Sequence, residues 1–163
     1  MTLPPEDHRL RPDHAPTGFS AAQIRAGCPV GRTIRVRSER RDEPTTHRVI
    51  RFVDVDDDGS LQEFQATEPD GRPIGDVRRH RSTWLELQRH ASQPAAATVI
   101  EEVDLSLRFG VEACWRYTVT AANGVTIFWF AKRLPGMPMR VEEWSGDALI
   151  GRTVVVENAP RGG

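Results

Sequence analysis

Residues 111–120 alternate without a break, and this constrains the fold more than any other stretch. Val111, Ala113, Trp115, Tyr117 and Val119 fall on one side, and Glu112, Cys114, Arg116, Thr118 and Thr120 on the other. A period of two belongs to a strand. Asn123-Gly124 follows. That pair suits a type I′ hairpin turn, whose two central residues need positive φ. Residues 125–131 return along the hairpin, with Val125, Ile127 and Trp129 on one side and Phe128 and Phe130 on the other. A strand apolar on both sides must be covered on both.

The same logic extends outward. Residues 32–38, 46–56, 61–67, 97–107, 139–144 and 149–157 read as further strands. Asp57-Asp58-Gly59, Pro69-Asp70-Gly71 and Ser145-Gly146-Asp147 separate some of them as tight turns. Two short helices interrupt the pattern. Ser20 and Gln23 form a capping box before a helix at 21–27, which Gly27, Pro29 and Gly31 end. Trp84, Leu85, Leu87 and Gln88 suit an amphipathic helix over 83–90, capped by Ser82 or Thr83. The fold class is therefore mainly β (α+β): a curved antiparallel sheet, half-barrel or barrel, with one or two short helices.

Residues 1–17 hold four of the twelve prolines and no periodic apolar pattern. They are expected to be a disordered tail. Residues 18–157 form a single β-rich domain on this reading, and 158–163 a second, flexible tail. A chain of 163 residues buries about 70% of its unfolded surface on folding and needs no staple.

Composition excludes some functions. Basic and acidic residues number 22 and 23, a net charge of −1. No global attraction to nucleic acid follows from that balance. No segment has the length of a membrane span. Cys28 and Cys114 match neither a disulfide framework nor a zinc motif. Residues 1–17 lack an apolar leader, which points to reduced thiols in the cytoplasm. Arg25-Ala26-Gly27-Cys28 imitates a lipoprotein cleavage box, but the upstream segment is polar.

Motifs for chemistry are sparse. Asp54, Asp56, Asp58 and Gly59 imitate the start of a calcium loop, yet its twelfth position is Gln65, which cannot chelate through two charged oxygens. An acidic hairpin turn explains them better. Arg78-Arg79-His80-Arg81 is a basic cluster without interleaved aromatics, read as a solvated loop leading into a helix. Cys114 with His80 or His90 as base is the nearest approach to a nucleophile pair, but Cys114 lies mid-strand. Neither GxGxxG nor a P-loop is present, so no cofactor, metal or catalytic residue is assigned. The aromatics Trp115, Tyr117, Phe128, Trp129 and Phe130 read either as plain core or as the candidate ligand-binding residues, walls of an apolar pocket on whichever face is concave.

Three segments carry a resemblance: Gly110-Val-Glu-Ala-Cys-Trp-Arg-Tyr117, Phe128-Trp-Phe-Ala131 and Leu134-Pro-Gly-Met-Pro-Met-Arg-Val-Glu142, followed by a closing strand. This order is similar to the end of the half-barrel proteins that include the outer-membrane lipoprotein carriers. It also resembles uncharacterised actinobacterial proteins with an FWFA…LPGMP segment. The resemblance covers under half the chain. It implies a curved sheet with helices over its concave side and a lipid-like guest in some members. The carriers have no catalytic residues to carry over, and they are exported.

Three functions remain open to the sequence. The first is a binding module that holds an apolar or amphipathic small molecule on a curved sheet. The second is a small β-barrel enzyme, of cyclase or isomerase type, acting by substrate orientation. The third is a protein-interaction domain.

Overall fold

The structure, a computed structural model, describes residues 2–160. Nine antiparallel strands form one open sheet. They are β1 (Thr33–Arg40), β2 (Thr46–Val55), β3 (Gly59–Thr67), β4 (Pro73–Thr83), β5 (Thr98–Leu107), β6 (Gly110–Ala121), β7 (Gly124–Ala131), β8 (Arg140–Ser145) and β9 (Ala148–Ala159). Their order is β4-β3-β2-β1-β9-β8-β7-β6-β5. Two meanders thus meet where β1 pairs with β9, opposing Val36 to Val155. β4 and β5 are left as edges, so the sheet is a half-barrel. Two helices, α1 (Ala21–Gly27) and α2 (Trp84–His90), complete the fold.

Local chemistry explains these elements. Ser20 and Gln23 form the capping box of α1, and Thr83 and Glu86 form a second one on α2. Each box satisfies two backbone donors that a helix start leaves free. The β6–β7 hairpin turns at Asn123-Gly124. Gly124 has φ +147°, and a Cβ there would collide with the Trp144 carbonyl. In the β2–β3 turn, Asp56 Oδ1 accepts from the backbone N–H of Asp58 and of Gly59, each at 2.9 Å. Those bonds hold Asp56 below the usual carboxylate range, aided by Arg81. The acidic run is thus a self-bonded turn, with Asp57 paired to Arg25 and both Asp54 and Asp56 paired to Arg81.

One strand departs from expectation. Residues 78–81 lie within β4 rather than in a loop. Pro73, Gly75 and consecutive charges disguise it, because such residues are depleted in strands. An edge strand tolerates them, and charge there discourages sheet-to-sheet aggregation.

The expected disordered tail also needs correcting. Glu6–His8 form one 3₁₀ turn, and His8, Ala15 and Thr17 are buried. His8 Nδ1 donates to the Thr17 carbonyl at 2.9 Å. The Ala15 N–H donates to the Gln93 carbonyl at 2.9 Å. Prolines that prevent regular structure do not prevent docking, because the sheet offers apolar surface and the donors of Tyr117 and Trp115 to the segment's carbonyls. At the other end, β9 runs through Asn158 and Ala159, which the sequence places in a flexible tail. Asn158 is held by Arg32 Nε at 3.1 Å. Residues 161–163 of that expected tail lie outside the described residues.

α1 and α2 cover one face of the sheet. Gln88 joins them: its Oε1 accepts from the Ala21 N–H at 2.9 Å, and its Nε2 donates to Thr17 Oγ1 at 3.1 Å and the His8 carbonyl at 3.3 Å. Trp84 Nε1 donates to the Asp56 carbonyl at 2.9 Å and pins the start of α2 to the β2–β3 turn.

Candidate functional site

Between the helices and the sheet lies a cavity of about 370 Å³. Alternation on each strand decides what it meets. β1 and β2 send in Ile34, Arg48, Ile50 and Phe52; β3 and β4 send in Gln62, Phe64, His80 and Ser82. The register agrees, since Ile34 opposes Ile50, Ile50 opposes Phe64, and Gln62 opposes both Phe52 and His80. The roof comes from α1 and its cap through Ile24 and Cys28, and from α2 and its cap through Leu87, His90 and Ala91. The loop at Gly136, Met137 and Pro138 closes one side beside Phe128 and Phe130 of β7.

Of the five aromatics expected as pocket wall, Phe128 and Phe130 line this cavity. Trp115 and Tyr117 share their face but do not, because the N-terminal segment fills the space above them. Tyr117 Oη donates to the Pro16 carbonyl at 2.6 Å, and Trp115 Nε1 to the Thr2 carbonyl at 3.3 Å. Phe19 meets Trp115 and Phe130 edge-on, with centroids 6.1 and 6.3 Å apart. Burial pushes the Tyr117 phenol well above its ordinary pKa, so it stays a donor.

Trp129 lies on the opposite face, between Phe128 and Phe130 in sequence. The Arg140 guanidinium stacks over its ring at 5.0 Å. Beside it, Glu142 accepts from Arg140, from Trp144 Nε1 at 3.0 Å and from Arg152 Nε at 3.1 Å. Burial raises the Glu142 pKa, but the hydrogen bonds from Arg140, Trp144 and Arg152 outweigh it and the net shift is downward.

The basic cluster divides by strand parity. Arg79 pairs with Glu63 at 2.7 Å, and Arg81 pairs with Asp56. Arg78 and His80 point to the helix-covered side, where His80 lines the cavity. Arg48 keeps exposed surface, yet the protein packed around it and then the charge of Arg78 both lower its pKa. Sequence reading missed this β2–β4 wall. Its signal was the period of two inside the basic cluster, together with the two-faced apolar run 49–53.

Neither thiol meets a base. Cys114 lies outside the cavity that His80 and His90 line, and its Sγ donates to the Glu112 carbonyl at 3.5 Å. Burial, then the charges of Glu112 and Asp104, push its pKa up to about 11. Cys28 borders the cavity and contacts Arg32 Nη1 at 3.1 Å. Burial raises its pKa, only partly opposed by Arg32. Both groups are thiols at pH 8, so iodoacetamide is expected to leave the native protein unlabelled while labelling the denatured chain fully. Native labelling of Cys28 at the denatured rate would contradict that burial.

Among the described residues, no helix is long and apolar enough to cross a membrane, and no cluster of His, Cys, Asp or Glu has the arrangement of a metal site. No protein-family profile matches the chain, and no curated protein does. Several solved structures match the chain, among them the two that follow. MucB aligns with TM-score 0.56 and 10% identity, over 86% of this chain and 57% of its own. An exported protein of Bacteroides fragilis with a YmcC-like fold aligns with TM-score 0.48 and 9% identity, over 81% and 97%. The match to MucB is one of architecture, and the half-barrel resemblance drawn from the C-terminal half extends no further than that.

Proposed function

We propose that this chain is a binding module that holds an apolar or amphipathic small molecule between its curved sheet and its helix pair. The cavity carries the proposal. Its volume falls in the usual range of about 300–1,000 Å³ for small-molecule sites. Isoleucine, leucine, phenylalanine and methionine side chains make up half of the residues in its wall, and Cys28, Ala91 and Pro138 extend the apolar surface. Water gains little by staying against such a surface, and an apolar guest gains by replacing it. Two free, buried thiols fit a reducing compartment, so the cytoplasm is the location assigned on this reading.

The enzyme reading would draw on His80 and His90 at the cavity. Among the described residues neither makes a hydrogen bond to an acid or a nucleophile, and this favours binding over catalysis.

A neutral apolar dye such as Nile red tests the proposal. Wild-type protein is expected to bind it with a blue-shifted emission. Ala91 borders the cavity at the C-terminal cap of α2. Ala91→Trp fills the space and is expected to abolish dye binding while thermal unfolding stays cooperative. Equal binding by both proteins would place the dye elsewhere and remove the cavity from the account.

A further inference from the structure

We infer that the guest is an anionic single-chain amphiphile, its acidic headgroup facing Arg48 and its alkyl chain lying against Phe64, Phe128 and Phe130. This rests on the binding-module reading and adds the sign of the headgroup charge.

The first support is the composition of the lining. The chain has 23 acidic residues, yet neither Asp nor Glu borders the cavity, whereas Arg48, His80 and His90 do. The second is the contrast between the two faces of β4. The outward arginines are neutralised, Arg79 by Glu63 and Arg81 by Asp54 and Asp56. On the cavity side, among the described residues, neither Arg48 nor Arg78 makes an ion pair. They lie near each other across β3: Arg48 opposes Ala66, and Arg78 opposes Phe64.

Two close guanidinium groups without a counter-charge oppose one another, and protein packed around the inner part of Arg48 weakens the solvation that would relieve it. The lowered pKa of Arg48 registers both effects. A carboxylate placed there would meet charge-assisted donors in the planar geometry that arginine offers. An uncharged headgroup would leave the repulsion in place, and a cationic one would add to it. Phe64 neighbours Arg48 and Arg78 on the same face, so apolar wall begins where the positive charge ends. A site built in this way suits a molecule with one acidic end and a flexible apolar remainder.

Titration with three submicellar probes of equal chain length separates the terms: dodecanoate, dodecanol and dodecyltrimethylammonium. Dodecanoate is expected to bind about tenfold tighter than dodecanol, as a charge-assisted contact implies, and the ammonium most weakly. In the double variant Arg48→Gln, Arg78→Gln that advantage is expected to vanish, the ratio of dodecanoate to dodecanol affinity falling to about one. Both arginines are exposed, so the variant should fold, and its Tm checks this. Equal affinity for the three probes, or preference for the ammonium, would overturn the charge assignment and leave the cavity reading standing. Failure of all three to bind would overturn both.

Discussion

Deleting residues 1–17 is expected to lower Tm by about 10 °C. Tyr117 would lose the Pro16 carbonyl that its hydroxyl donates to, and Gln88 would lose both acceptors of its side-chain amide. Leaving a buried polar group unpaired costs about 1–3 kcal/mol each, and water reaching the uncovered site recovers part of that. Lost contact over Trp115 adds to the loss. A total near 3–5 kcal/mol follows, and each kcal/mol lowers Tm by about 2–4 °C at this chain length. The helix pair should loosen as well, since Gln88 ties α2 to α1 and to the N-terminal segment together. Thermal unfolding of the truncated and full chains decides the matter. An unchanged Tm would return this segment to the disordered tail that its prolines suggest.

Trp129→Ala is expected to destabilise the protein by about 3–5 kcal/mol, the usual effect of emptying a buried aromatic site, without loss of ligand affinity. Trp129 is 8% exposed and lies under Arg140 on the face away from the helices. The indole therefore serves packing and a cation–π contact rather than the cavity. Chemical denaturation measures the first part, and dye titration the second. A variant of near-native stability that no longer binds would move Trp129 into the binding wall and reverse the sheet orientation described above.

These two cases show what the sequence displays and what it conceals. Hairpin β6–β7 is legible because alternation and Asn123-Gly124 are local signals. Both helices are legible from local signals, α1 from the Ser20–Gln23 box and α2 from the spacing of Trp84, Leu85, Leu87 and Gln88 after Ser82 or Thr83, of which Thr83 with Glu86 proves to be the cap. Edge strand β4 is not, because local propensity argues against it and only pairing with β3 creates it. The docking of 2–17 is hidden for a similar reason: His8 and Thr17 acquire their partners from one another and from α2. Half of the site follows the same rule. Phe128 and Phe130 stand out as aromatics on one strand. Which face of β7 meets the helices depends on the curvature of the whole sheet, so Trp129 could not be separated from them by periodicity. Arg48 and His80 reach the cavity from two strands whose closeness is a matter of register, and a single basic cluster in sequence becomes two surfaces of opposite character.

Native mass spectrometry on protein purified from its own host tests the central claim most directly, that the space between sheet and helices is a ligand site. The expected result is a stoichiometric adduct of small-molecule mass, absent from Ala91→Trp purified in parallel. An adduct retained by that variant, or wild-type protein at its bare mass under conditions that preserve a bound dye, would contradict the claim.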